Sequence, residues 1–160
     1  MKLLFVCMGN ICRSPVVEAV ARAEFARAGF SIDVASAGTE DYHVGEPADP
    51  RAIASAKAHG YDVSRHRARQ IVAADFARFD AVLAMDRVNL SALARCCPPE
   101  HERRAALFLP FAGLETPDEV PDPYYGKARD FERVIELARA GVERLIRSGA
   151  LAHNGGTRIG

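Results

Sequence analysis

The sequence predicts an α/β fold, a three-layer sandwich with a central four-stranded parallel sheet flanked by helices on both faces. Short apolar runs of strand character alternate along the chain with segments of helical period, the pattern of strands joined by helical crossovers. Two helix starts are written as a polar cap followed by proline, Ser14-Pro15 and Asp49-Pro50. About four strands are available, and right-handed crossovers would set them side by side in one sheet.

Lys2 to Val6 reads as a short buried strand, and the helix opened by the Ser14 hydroxyl and Pro15 closes at Gly29. Phe30 to Ala35 is the second strand, followed by a helix from Asp49-Pro50 to Gly60. Phe79 to Met85 is the third strand, Asp86 to Cys96 a short helix, and Ala105 to Leu109 the fourth strand. After a proline-rich loop, Phe131, Val134, Ala138, Val142 and Leu145 recur at helical spacing and describe a long amphipathic helix. Residues 1–150 are read as one domain. The stretch from Leu151 to Gly160, with Gly155-Gly156, has no periodicity and is expected to form a flexible tail.

The chain has 160 residues, 49% of them apolar, enough for one filled core and too few for two ordinary domains. With 21 basic and 21 acidic residues its formal charge is zero, so no polybasic surface for nucleic acid or anionic lipid is expected. No apolar run approaches the ~18 residues of a membrane span, and the N-terminus lacks the pattern of a secretory leader, which points to a cytoplasmic protein. Four cysteines, Cys7, Cys12, Cys96 and Cys97, fit a reducing compartment better than a disulfide scaffold. A zinc site is not expected, because no compact His or Cys pair completes a four-ligand set around Cys7 and Cys12.

The informative segment is Cys7-Met8-Gly9-Asn10-Ile11-Cys12-Arg13-Ser14, where the first strand turns into the first helix. In a parallel α/β sheet, ligands bind beyond the carboxyl ends of the strands near the switch point, and this loop lies there. Backbone N–H groups at a helix N-terminus lack intrahelical partners and, with the helix dipole, attract an oxyanion or a thiolate. That field and the Arg13 cation make Cys7 the expected nucleophile. Arg13 can hold two phosphate oxygens with its planar fork.

The Cys-x-Gly-Asn-x-Cys-Arg-Ser-Pro string, together with Asp122-Pro123-Tyr124-Tyr125-Gly126 far downstream, resembles the low-molecular-weight protein tyrosine phosphatases, bacterial members included, over about residues 2–148. The resemblance implies hydrolysis of phosphotyrosine and small aryl phosphates through a cysteinyl-phosphate intermediate, without metal or other cofactor. Cys7 would be the nucleophile, Arg13 the ligand of the equatorial oxygens, and Asp122 the general acid and then base. Met8, Gly9, Asn10, Ile11, Cys12 and Ser14 would complete the phosphate-binding loop, with Ser14 donating to the Cys7 sulfur. Asn10 would take a left-handed conformation with Ser36 bonded to it, and His66 would brace the same network. Asp86 would either orient His66 or cap the following helix. Tyr42, Tyr124 and Tyr125 would wall the pocket. Asp118 and Glu119 compete with Asp122 on composition alone, and the family match selects Asp122.

By the same resemblance the expected partners are phosphotyrosine proteins, and an arginine-rich basic complement in which only Lys2, Lys57 and Lys127 are lysines fits a bacterial source. A bacterial tyrosine autokinase of polysaccharide export is the specific expectation. Cys12 is placed to trap an oxidised Cys7 as a disulfide. Two other functions stay open at this point. Arsenate reduction would use the same loop with Cys96 and Cys97 as relay, although neighbouring cysteines are poorly placed for such a disulfide. A non-catalytic phosphotyrosine-binding module would use the loop alone.

Overall fold

The structure, a computed structural model, describes residues 1–153 and 157–158. In chain order its elements are β1 (Lys2–Cys7), α1 (Arg13–Arg27), β2 (Phe30–Ser31), β3 (Asp33–Gly38), α2 (Pro50–Ala58), α3 (Asp75–Arg78), β4 (Ala81–Ala84) and α4 (Arg87–Cys96). A 3₁₀ turn (Pro99–Arg104), β5 (Ala105–Leu107), α5 (Phe108–Phe111), α6 (Ala128–Ser148), α7 (Ala150–His153) and β6 (Thr157–Arg158) follow. The main sheet has the order β3-β1-β4-β5 with every neighbouring pair parallel. The expected four-stranded sandwich is therefore observed.

Alternation along β1 builds both outer layers, since successive side chains point to opposite faces. Leu3, Phe5 and Cys7 join a core with α1, α2 and α6, whereas Leu4 and Val6 join a second core with Phe76 of α3 and Leu93 of α4. Phe5 meets Phe108 edge to face at 5.4 Å, and each fully buried side chain of this size contributes roughly 1.5–3 kcal/mol. Among the described residues, no helix is long and apolar enough to cross a membrane.

Several boundaries differ from the sequence reading. The second strand is two strands: β3 runs on to Gly38 beside Cys7 of β1, while β2 leaves the main sheet and pairs antiparallel with β6. Ser36-Ala37-Gly38 has weak strand propensity, and ladder pairing with β1 decides its conformation. The first helix begins at Arg13 with Cys12 as its N-cap, so Ser14 is inside the first turn and its hydroxyl serves the site instead of capping. Pro15 is tolerated there because N–H groups of the first turn have no intrahelical acceptor to lose. The predicted fourth strand stops at Leu107, where Phe108–Phe111 turn helical. Asp49 caps α2 as expected, accepting from the Arg51 N–H at 2.8 Å. Leu151 is fully buried against the α1 and α6 core. Residues 154–156 and 159–160 of the expected tail lie outside the described residues.

Strand order places the site. From β1 the chain crosses to β3 on one side and then returns to β4 on the other, so the carboxyl end of β1 is the switch point at which a crevice opens.

Candidate active site

Residues 8–12 leave β1 and close into the first turn of α1, with Asn10, Ile11 and Cys12 buried. Among the described residues, the backbone N–H groups of residues 9–12 have no hydrogen-bond acceptor. N–H groups free of protein acceptors, in a loop that leads from a thiol into a helix N-terminus, suit an anion.

A polar network holds this loop in shape. Asn10 sits at φ 56°, the left-handed region that Asn tolerates better than most residues. Its Nδ2 donates to Ser14 Oγ at 2.8 Å and to Ser36 Oγ at 3.0 Å, and its Oδ1 accepts from the Arg69 N–H at 3.0 Å. Ser36 Oγ in turn donates to Glu18 Oε1 at 2.7 Å. The Asn10 carbonyl lies 2.6 Å from His66 Nε2, and since a carbonyl only accepts, that nitrogen carries the proton. Ser14 Oγ stands 3.0 Å from Cys7 Sγ. Its alternative acceptor, the Ala37 carbonyl, is farther at 3.5 Å. With both protons of the Asn10 amide assigned, the Ser14 hydrogen is left to aim at the sulfur.

Arg13 is 3% exposed. Its Nη1 donates to Asp86 Oδ2 at 2.6 Å and to the Val120 carbonyl at 3.1 Å. Burial works against the Arg13 cation, but the neighbouring Cys7, Asp86 and Asp122 outweigh it and hold its pKa above the ordinary arginine value. Asp86 caps α4 by accepting from the Asn89 N–H at 2.8 Å. Of the two roles open for Asp86 in the sequence, its contacts are those of the cap, with the Arg13 bond added, and the His66 ring bonds Asn10 instead. Asp122 faces Arg13, with Oδ2 3.8 Å from Nη2, and its Oδ1 accepts from the Tyr124 N–H at 3.1 Å.

These groups surround an open pocket of about 230 Å³. Cys7, Met8, Gly9, Ile11, Cys12 and Arg13 form its floor, and Tyr42, His43, Asp122, Tyr124 and Tyr125 its walls. Tyr124 and Tyr125 stack edge to face at 4.9 Å, and Tyr125 is almost wholly exposed. Aromatic walls around a cationic floor suit a flat anionic ester. Ser36 and His66 do not line the pocket; both are hydrogen-bonded to Asn10 of the loop. Asp118 and Glu119, the competing acids, pair with Arg87. Burial drives the Cys12 thiol up to about 12, which keeps it neutral. Cys96 and Cys97 end α4 at the opposite end from Asp86, about 15 Å away by helix rise. No group of three or more metal-ligating side chains is gathered among the described residues.

Sequence reasoning missed several contributors. His43 packs on the loop so closely that a Cβ at Gly9 would stand 2.9 Å from its Cδ2. A Cβ at Gly38 would meet the Met8 carbonyl at 2.7 Å, so the sheet's end can cradle the loop only with glycine there. Glu18, the Arg69 N–H and the Val120 carbonyl act at long sequence separation, and nothing local in the sequence marks them.

Over residues 2–154 the chain matches the family described as low molecular weight phosphotyrosine protein phosphatase. It is 43% identical over 146 residues to a low molecular weight protein-tyrosine-phosphatase of Streptomyces coelicolor, with 87% of each chain covered. A protein tyrosine phosphatase of Entamoeba histolytica with Hepes in its active site superposes with a TM-score of 0.88 at 39% identity, over 97% of this chain and 98% of that one. Vibrio vulnificus Wzb in complex with benzylphosphonate gives 0.81 at 31% identity, over 92% and 97%. A match over nearly the whole length, in sequence and in fold, shows that the chain belongs to the low molecular weight phosphotyrosine protein phosphatase family.

Proposed function

We propose that Cys7, Arg13 and Asp122 carry out the phosphotyrosine hydrolysis of this family in the pocket at the end of β1. The supporting observation is one arrangement: a thiol at the start of a loop of unpaired backbone donors, a buried guanidinium beside it in the floor, and a carboxylate across the opening. The Cys7 thiolate attacks phosphorus, forming an S–P bond as the P–O bond to the phenol breaks. Arg13 and the loop N–H groups hold the three equatorial oxygens, where charge is concentrated in the transition state. Asp122 gives its proton to the departing phenolate and then takes one from the water that cleaves the S–P bond, returning Cys7 and releasing phosphate. Ser14, aimed at the sulfur, stabilises the thiolate before attack and again as it leaves.

Replacing Asp122 by Ala tests this directly with initial rates on para-nitrophenyl phosphate between pH 4 and 8, EDTA present. The variant is expected to lose about 100-fold in kcat/KM, the usual scale of a positioned general acid. Retention of more than about a third of native kcat/KM would reject Asp122 as the acid.

We also propose a cytoplasmic protein acting on phosphotyrosine proteins, with a tyrosine autokinase of polysaccharide export as its substrate. The arginine-rich composition and the bacterial relatives support this. An enzyme that cleaves aryl phosphates well yet leaves the tyrosine-rich tail of such a kinase phosphorylated would overturn the substrate, and recovery outside the cytoplasm the location.

Cys12 is proposed as the partner that traps peroxide-oxidised Cys7: the sulfenic acid and the Cys12 thiol condense to a disulfide and water. Its high pKa means the Cys12 proton must leave during attack, so trapping is slower than for an exposed thiol. Cys12→Ser is expected to regain less activity with thiol after peroxide than the native protein, and equal recovery would refute the role.

A further inference from the structure

Asp122 is nearly half exposed and lies on a segment between Phe111 and Ala128 that has no regular structure. General acid catalysis needs it held within hydrogen-bond reach of the leaving oxygen, so something must fix that segment. On its N-terminal side the Val120 N–H donates to the Met85 carbonyl at 2.8 Å, and the Val120 carbonyl accepts from Arg13. The C-terminal side is held differently.

Arg51 stands in the first turn of α2, where the positive end of the helix dipole disfavours a cation. Helix stability therefore does not account for it. Its guanidinium is forked by Asp49, with Nε donating to Oδ1 at 3.0 Å and Nη2 to Oδ2 at 2.8 Å. Its Cζ lies 5.4 Å from the ring centre of Tyr124 and 4.7 Å from that of Phe131. The Asp49 N–H in turn donates to the Ile11 carbonyl of the phosphate-binding loop at 2.8 Å. A continuous path thus runs from Ile11 through Asp49 and Arg51 to Tyr124, whose own N–H donates to Asp122. It joins the cradle of the nucleophile to the carrier of the acid.

We propose that Arg51 is a positioning residue: clamped by Asp49 against the Tyr124 ring, it sets Asp122 in register with the phosphate-binding loop. The role needs arginine, because a lysine ammonium offers neither the fork for Asp49 nor a plane for the ring. It rests on the assignment of Asp122 as general acid, and the test separates the two.

The measurement is kcat/KM for phenyl phosphate, whose leaving group needs a proton, and for 2,4-dinitrophenyl phosphate, whose leaving group departs without one. The native enzyme is compared with Arg51→Met, Arg51→Lys, Asp122→Ala and the Arg51→Met/Asp122→Ala double variant. Arg51→Met is expected to lose about tenfold on phenyl phosphate and less than about twofold on the dinitrophenyl ester, since a misplaced acid matters only where a proton is required. Arg51→Lys should behave like Arg51→Met, and in the Asp122→Ala background the Arg51 change should add no further loss. Asp49→Asn, which keeps a helix-capping side chain but weakens the clamp, should show the same leaving-group signature and guards against a folding defect in the Arg51 variants. Equal losses on the two esters, or an undiminished loss in the Asp122→Ala background, would overturn the positioning role. If Asp122→Ala itself fails to discriminate the two esters, the assignment of Asp122 falls, and the Arg51 proposal with it.

Discussion

Cys7→Ser is expected to abolish turnover, lowering kcat on para-nitrophenyl phosphate by about 10⁴-fold or more, while leaving the fold and oxyanion binding in place. A serine hydroxyl is close to isosteric with the thiol but stays protonated at neutral pH, and the single donor at Ser14 cannot ionise it. The rest of the cradle does not depend on the sulfur: the loop N–H groups, the Arg13 guanidinium and the Asn10 network remain. Affinity for benzylphosphonate, measured by titration calorimetry, should therefore stay within about tenfold of the native value, because ground-state binding uses these groups and not nucleophilic attack. The melting temperature should move by only a few degrees, as little volume is lost at the buried position and Ser14 keeps a partner. Residual turnover above about one percent of native would mean that another group attacks phosphorus. Loss of benzylphosphonate binding together with activity would mean that the sulfur organises the loop, and the division of labour drawn here would be wrong.

The order of strands and helices was legible because each rests on local chemistry. The apolar run before Cys7, the Asp49-Pro50 start, and the glycines at 29 and 60 act within a few residues of where they stand in sequence. Both strings of the candidate site were legible for a related reason: each is a run of consecutive residues, so its chemistry is written contiguously. What the sequence hid was set by packing between segments far apart. That β3 ends at Gly38 rather than Ala35 follows from its ladder with β1, where Gly38 stands beside Cys7, which no local propensity encodes. That Ser14 aims at sulfur instead of capping follows from Asn10 occupying its acceptor side. Asp86 illustrates the limit most clearly. Its place at the start of α4 was readable, whereas its bond to Arg13 spans 73 residues and appears only once β1 and β4 lie side by side.

That bond frames the second large effect, expected for Arg13→Lys. The guanidinium serves two directions at once: Nη1 is committed to Asp86 and the Val120 carbonyl, and Nη2 faces Asp122 across the pocket mouth. An ammonium is a point charge that cannot span both. If the lysine turns to Asp86, the equatorial oxygens lose their forked donor in the transition state. If it turns to the pocket, Asp86 and the Val120 carbonyl lose a partner, at a cost of about 1–3 kcal/mol for a buried group left unpaired. The first choice preserves the fold, so the expected result is a loss of about 10²–10³-fold in kcat/KM, the range for removing one preorganised transition-state donor. Benzylphosphonate affinity should fall by a smaller factor, because the tetrahedral ground state draws less on the fork than the trigonal array of three oxygens does. Kinetics on para-nitrophenyl phosphate, beside calorimetry with benzylphosphonate and a thermal melt, separate the outcomes. Equal losses in kcat/KM and in affinity would assign Arg13 to uniform binding of phosphate rather than to the transition state. A variant that keeps native kcat/KM would show that charge alone suffices there, and that the buried fork exists only to hold Asp86 to the sheet.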